Sequence, residues 1–359
     1  MLVLLQHTLA NLAPPRLAAI FTSNEMGSIA VLVFFALSGF VIAEAADRLY
    51  RDRPIAFLAN RLLRIVPHFL IAVVLSIAIH YAFSKAGTLR LSQSSIPFSA
   101  AAFGAKNILF NLLRCFPGMD RRVDYGFLDI AWAIRVEMAF YLVIGLCLAL
   151  ITVAGRFGFR IGLGWTMLLV GLALAPLVPF AVLGRLLPML QFVPYFGFGC
   201  ALYFAAVKRE RVGFLFATIA LPAMAAQFLS LPARHPVLGF ERAVGLEFVE
   251  LAFLLGLLTV LALSPMRRFK AEDRYLGDLT YPLYLYHQDV IIAVLSLTAS
   301  YSYGSFGAAI IASILMALAL RHMLDPLIDR LRDRVRGRGL RKRAAPVLLG
   351  DASLAARTA

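Results

Sequence analysis

Apolar runs of bilayer-crossing length, separated by short positively charged loops, set the strongest constraint on how this chain can fold. Nine such runs lie near residues 28–45, 66–83, 130–153, 162–183, 188–206, 212–231, 245–263, 281–298 and 304–323. Each is about long enough to cross the ~30 Å hydrocarbon core of a membrane as a helix rising ~1.5 Å per residue. Residues 1–13 (MLVLLQHTLANLA) read as the back half of a further span, placed first and too short to cross alone. The expected fold class is therefore all-α: a polytopic membrane helical bundle of about ten transmembrane helices, the first truncated. Prolines inside the runs (Pro176, Pro179, Pro194, Pro222) fit this reading, because neighbouring helices can satisfy the backbone groups they free.

The loops carry the orientation. Apolar residues make up 61% of the chain and charged ones 15%, whereas soluble domains hold about 25% charge. A net charge of +15 could indicate nucleic acid, but the charge sits in the loops and the tail. If residues 1–13 run outward, loops 46–65, 154–161, 207–211 and 264–280 and the tail from 324 face the cytoplasm. These carry 23 of the 35 Lys and Arg, and the outward loops carry ten. The domain reading is a membrane domain over 1–323 and a basic cytoplasmic tail over 324–359, with no internal repeat of the kind many transporters show. Cys115, Cys147 and Cys200 form neither a disulfide framework nor a metal pattern. The first stretch lacks the basic start and small-residue cleavage site of a secretory signal.

Ionisable side chains within or beside apolar spans are the candidates for chemistry. The stretch Phe34–Pro67 passes from an apolar span into a basic segment ending RLLRIVP. If that segment is helical, Arg61 and Arg64 share a face. They then act either as headgroup anchors or as a site for a phosphorylated ligand. His7, in the first partial span, can serve as a general base or transient nucleophile, or simply bond a backbone carbonyl between helices. Glu137 enters the third full span with Tyr141 one turn on, on the same face. It reads either as part of a site or as one half of an ion pair with an arginine such as Arg64. Tyr281, Tyr284 and His287 form an aromatic stripe whose blander reading is an interfacial belt. His68 and His80, near the two ends of one span, are expected at the interface.

No phosphate-binding G-x-x-x-x-G-K-[ST] loop, G-x-G-x-x-G fingerprint, H-E-x-x-H metal pair or G-x-S-x-G elbow is present. That excludes the usual ATPases, nicotinamide enzymes, zinc proteases and serine hydrolases.

Four motifs in order carry a resemblance: FFALSGFVI, then RLLRIVP, then W-x-x-x-x-E-x-x-F-Y (Trp132, Glu137, Phe140, Tyr141), then LGDLTYPLYLYHQDV. Over about residues 1–325 the chain resembles acyltransferase family 3, multi-pass membrane O-acyltransferases that modify bacterial polysaccharides, lipopolysaccharide and related acceptors. The resemblance implies transfer of an acyl group, expected to be acetyl, from cytoplasmic acyl-CoA to a hydroxyl of a cell-surface or exported carbohydrate. It implies a catalytic His7, with Glu137 and Tyr141 orienting His7 or holding Arg64. Arg61 and Arg64 would bind the coenzyme A phosphates, and Tyr284 and His287 would line the acceptor channel. No permanently bound cofactor and no metal is expected. The partners implied are acyl-CoA, a carbohydrate or glycolipid acceptor and the lipid bilayer, without nucleic acid. The implied location is the bacterial inner membrane, with the C-terminus cytoplasmic. In the family's Arg-x10-His signature the arginine would fall before Met1, so either the start lies upstream, as the half-length first span suggests, or the chain lacks that arginine. The Asp that many members carry just before the double Phe is absent here: Leu32 stands in VLVFF. Two other classes stay open on the residues alone. One is a transporter or flippase with His7, Glu137 and His287 along its path; the other is a structural membrane subunit.

Overall fold

The computed structural model describes residues 1–16, 18, 26–91, 98–119, 123–177, 188–230, 244–263 and 270–336. Helix accounts for 85% of the structure, and no strand occurs among the described residues. In chain order the helices are α1 (Leu2–Leu12), α2 (Met26–Leu49), α3 (Pro54–Lys85), α4 (Ala105–Leu113), α5 (Ala131–Arg156) and α6 (Leu163–Leu174). They continue with α7 (Val193–Leu202), α8 (Arg211–Ser230), α9 (Val244–Leu263), α10 (Lys270–Thr298) and α11 (Tyr303–Arg336). A π-helical turn, Tyr203–Val207, extends α7.

The all-helical expectation holds, and the count of about ten spans is not confirmed among the described residues. Six helices among the described residues are long and apolar enough to cross a membrane: α2, α3, α5, α7 with its flanking turns (Met189–Val207), α8 and α11. Two expected spans are shorter apolar helices, Leu163–Leu177 and Phe248–Leu263. Residues 178–183 of the span expected over 162–183 lie outside the described residues. The span expected at 281–298 lies in a 29-residue helix, α10, whose apolar character is diluted by Tyr281–Asp289. Helix boundaries also shift. The segment expected as a basic loop before residue 66 is helical from Pro54, a residue whose fixed φ suits a first helical position. Arg61 and Arg64 therefore belong to α3 itself. At the other end of the chain, α11 continues through the expected boundary at 323 to Arg336.

Segments that the charge pattern assigned to one side gather at one end of the bundle. Asp47 at the end of α2 accepts from Tyr203 Oη at 2.9 Å and pairs with Lys208 Nζ at 3.1 Å. Arg53 donates to the carbonyls of Val335 (2.9 Å) and Arg336 (3.2 Å). Arg321 donates to the carbonyl of Tyr275. Residues 264–269 and 337–359 of the basic loop and tail lie outside the described residues.

The tightest crossing is between α2 and α7. Small residues let helix backbones touch where lipid offers no hydrophobic drive to pack, and here Gly39 and Gly199 face the partner backbone directly. A Cβ on Gly39 would lie 2.1 Å from the Phe196 carbonyl oxygen, and one on Gly199 would lie 1.8 Å from that of Ala36. Beside this contact Phe35 stacks on Phe196 (5.0 Å between ring centroids) and Phe196 on Phe140 (4.1 Å). Trp132 closes the cluster against Phe35 and Phe192.

The long loop 84–129, as far as it is described, is pinned by two buried asparagines of α4. Asn107 Oδ1 accepts from the backbone N–H groups of Asp124 (2.9 Å) and Tyr125 (3.1 Å), and its Nδ2 donates to the carbonyls of Ala102 and Tyr125. Asn111 does the same for Phe127 N–H and the Tyr125 carbonyl. The segment they hold leads directly into α5. Asn107→Ala is expected to leave buried backbone donors unanswered, at about 1–3 kcal/mol each. Hydrogen exchange at Asp124 and Tyr125 should rise sharply in that variant; unchanged protection would show the loop is held by other contacts.

Candidate active site

A cavity of about 570 Å³ lies between α1, α2, α3, α5, α9 and α10. Along α10 it runs from Gly277 to His287, about 15 Å at ~1.5 Å per residue. Arg61 and Arg64 of α3, Glu137 and Tyr141 of α5, and Tyr284 and His287 of α10 all line it. Six of the seven residues expected to form the site therefore share one wall system. The seventh, His7, stands directly behind one of them.

Glu137 and Tyr141 sit one helical turn apart, and the Tyr141 hydroxyl donates to Glu137 Oε1 at 2.5 Å. The arginine beside them is buried: Arg61 is 6% exposed, with its guanidinium carbon 5.5 Å from the ring centroids of both Phe57 and Tyr141. Such cation–π contacts hold a guanidinium where little water reaches it. The motif W-x-x-x-x-E-x-x-F-Y thus divides by helical face. Trp132 and Phe140 pack into the aromatic cluster, while Glu137 and Tyr141 turn to the cavity. Among the described residues, no ion pair of 4 Å or less joins Glu137 to Arg61 or Arg64, so the acid and the two cations face one space without closing on each other.

His7 contacts α10 rather than Glu137 or Tyr141. Its Nδ1 lies 3.0 Å from His287 Nε2 and 3.0 Å from Gln288 Nε2. His287, fully buried, has Nδ1 2.7 Å from the Tyr284 carbonyl and 3.2 Å from that of Leu283. A carbonyl can only accept, so His287 Nδ1 carries a proton. With both rings neutral, His287 Nε2 is then an acceptor and the proton between the rings belongs to His7 Nδ1. That leaves His7 Nε2 unprotonated, the form a general base requires. The Gln288 amide agrees once its oxygen and nitrogen exchange places, an assignment set by the hydrogen-bond network. Gln288 Oε1 is buried without a partner; with the two atoms exchanged it would share the one Nδ1–H of His7 with His287 Nε2.

The tyrosines of α10 are ties as much as lining. Tyr281 donates to the Ile65 carbonyl (3.0 Å), Tyr284 to that of Ile130 (3.2 Å) and Tyr286 to that of His68 (3.1 Å). The stripe therefore lies inside the bundle, locking α10 to α3 and to the start of α5, and is not an interfacial belt. The two histidines expected at the interface are also internal. His68 is 3% exposed and bonds Asp325 of α11 at 3.0 Å. His80 is fully buried, bonds the Ser76 carbonyl and sits among Phe98, Tyr125 and Phe127. Gln288 and Tyr286 escaped sequence reasoning. Their neighbourhood to His287 in YLYHQDV was the only local signal for them.

Nucleophiles other than histidine recede. All three cysteines are buried, and burial pushes the Cys115 thiol, in the loop beyond α4, up to about 12, which leaves it a thiol at neutral pH. No group of three or more His, Cys, Asp or Glu side chains placed to hold a metal ion occurs among the described residues.

Comparison with protein families matches residues 1–322 to a family described as an acyltransferase domain. Neither the curated proteins nor the solved structures provide a match. The match spans every helix that builds the cavity and the histidine pair. The chain belongs to acyltransferase family 3 and is an acyl-transferring membrane protein.

Proposed function

We propose that this protein is a membrane O-acyltransferase that moves an acyl group, acetyl in the simplest case, from cytoplasmic acyl-CoA to a hydroxyl of a carbohydrate presented at the other side of the membrane. The observation that carries this reading is the cavity that joins Arg61 and Arg64 to His287, whose ring is bonded to His7 behind it. The arginines suit the phosphates of coenzyme A, since guanidinium groups bind phosphate oxygens through paired N–H donors. The tyrosine hydroxyls of the wall already donate to Glu137, Ile65 and Ile130, and Arg61 Nε has no partner. The uncommitted donors are therefore arginine N–H groups.

In this reading the thioester lies in the cavity with its carbonyl toward His287. His7 Nε2 takes the proton of the acceptor hydroxyl as that oxygen attacks the thioester carbon. The tetrahedral intermediate then expels sulfur, the C–S bond breaks, and the thiolate receives the proton from His7. An ester and free coenzyme A result, and His7 returns to its starting state. His287 and Gln288 hold the His7 ring in the tautomer that exposes Nε2. The basic end of the bundle is cytoplasmic in this reading, as the loop charges imply.

Mass analysis of surface glycans from cells with and without the gene tests the reading. A difference of one acyl group per repeating unit is expected. Unaltered glycans together with altered glycan export would favour transport instead. A second result follows for the donor site. Arg61→Ala and Arg64→Ala are each expected to weaken acyl-CoA binding roughly 10- to 100-fold, the worth of about 1.5–3 kcal/mol for a charge-assisted bond. Titration calorimetry on the purified protein would measure it, and unchanged affinity in both variants would reduce these arginines to helix anchors.

A further inference from the structure

The far end of α11 packs against the start of α3, the helix that carries Arg61 and Arg64. At 34 residues α11 is about 50 Å long, well beyond what a bilayer crossing needs. Its last turns do not run free. Arg53, just before α3, donates through both terminal nitrogens to the carbonyls of Val335 and Arg336. Asn60 Nδ2 reaches the carbonyl of Arg332 at 3.5 Å. These contacts clamp the C-terminal end of α11 against the first turns of α3.

The clamp sets Arg332 and Arg336 beside the two arginines of α3. Arg332 lies within electrostatic range of Arg336, Arg64 and Arg61. Four guanidinium groups from two helices thus converge, although like charges repel and such a cluster costs free energy without counter-ions. The carboxylates at hand answer only the outer side. Asp329 pairs with Arg332 Nη1 at 2.8 Å and Asp333 with Arg336 Nη1 at 3.8 Å, and both carboxylates are more than half exposed. Glu137 is engaged with Tyr141. The Nε atoms of Arg61, Arg332 and Arg336 are all buried and have no hydrogen-bond partner. Arg61, more than nine-tenths buried, cannot satisfy its group by swinging to water. Buried charged donors without acceptors are uncommon in folded proteins and mark a place where an acceptor belongs.

We infer that the extension of α11 is a built part of a polyphosphate site, in which Arg332 and Arg336 join Arg61 and Arg64 to receive the phosphate groups of a nucleotide-bearing donor. This rests on the acyl-CoA reading above for the identity of the donor, while the phosphate chemistry stands on the arginines alone. The extension then adds a wall outside the cavity: the donor's phosphorylated end lies between α3 and α11, and its thioester arm enters the cavity toward His287.

The test uses the full-length protein in nanodiscs of zwitterionic lipid, and again with anionic lipid added. Acetyl-CoA and inorganic pyrophosphate are titrated separately. Arg332→Gln and Arg336→Gln are each expected to weaken both probes roughly 10-fold, and the double variant further, with a shallower salt dependence. Arg332→Lys should keep part of the affinity, since it retains the charge but loses the planar fork. Arg334→Gln, an exposed neighbour on the same turns, should bind like the unaltered protein. Should Arg332→Gln melt early, Arg336→Gln and Arg332→Lys decide the matter. Wild-type affinity for both probes in the Arg332 and Arg336 variants overturns the inference. So does an effect confined to the anionic-lipid discs, which would make these residues headgroup anchors. If pyrophosphate binding depends on the four arginines but acetyl-CoA does not bind at all, the polyphosphate site stands and the acyl-CoA reading falls.

Discussion

His7→Ala is expected to remove acyl transfer almost completely, by ~10³-fold or more, with protein level and membrane insertion unchanged. A positioned general base contributes roughly 10²- to 10⁴-fold, and alanine offers no replacement for the proton acceptor. The geometry supplies a graded companion to this result. In the proposed reaction His287 acts on the substrate through His7, by fixing the proton on Nδ1. His287→Ala would free the His7 ring to turn or adopt the other tautomer, so a partial loss is expected, on the order of 10- to 100-fold, without loss of donor affinity. His287→Gln, whose amide oxygen can still accept from Nδ1–H, should recover part of the rate. Radiolabelled acyl transfer by purified protein separates these outcomes. Full activity in His7→Ala would take His7 out of the mechanism. Equal collapse of rate and donor affinity in His287→Ala would instead make His287 a residue that contacts the donor directly.

The parts of this site that were legible in the sequence are those where a polar residue stands against an apolar background. His7, Glu137 and the Arg61–Arg64 pair each interrupt such a run, and lipid makes such interruptions costly enough to be informative. Helical spacing then placed Glu137 with Tyr141 and Arg61 with Arg64, and in both cases the two residues line the same cavity. What sequence could not supply is pairing across long separations. His7 meets His287 across 280 residues, and His68 meets Asp325 across 257. Periodicity fixes the face of a helix but not its neighbour. The three buried histidines His68, His80 and His287 show the consequence, since a histidine near a span end reads as interfacial until its partner is known. Arg332 and Arg336 were hidden differently. They lie in a run of alternating charge that reads as a solvated tail, and only the hydrogen bonds from Arg53 and Asn60 show that the run folds back onto α3. Hydropathy in α10 is diluted for a reason: the polar residues of Tyr281–Asp289 that weaken it as a membrane span are the ones that tie the bundle and line its cavity.

Gly199→Ala and Gly39→Ala are expected to destabilise the protein by about 3 kcal/mol or more each, at the upper end of overpacking costs. The sign needs an argument, because alanine favours a helix over glycine by about 1 kcal/mol. At Gly199 the new methyl carbon would stand 1.8 Å from the Ala36 carbonyl oxygen and 2.7 Å from the Phe40 nitrogen. At Gly39 it would stand 2.1 Å from the Phe196 carbonyl oxygen. Both obstacles are backbone, which cannot turn aside as a side chain can, so α2 and α7 must separate. Separation breaks the stack of Phe35 on Phe196 and Phe196 on Phe140, and it shifts the stretch of α2 from Ala30 to Ile42 that forms one wall of the cavity. The apparent melting temperature in detergent should fall by on the order of 10 °C, and donor binding should weaken with it. Gly256→Ala in α9, where an added Cβ meets nothing within 4 Å, provides the opposite case and should melt at or slightly above the unaltered temperature. If all three variants melt together, the α2–α7 crossing is looser than its two glycines require, and the cavity wall does not depend on their contact.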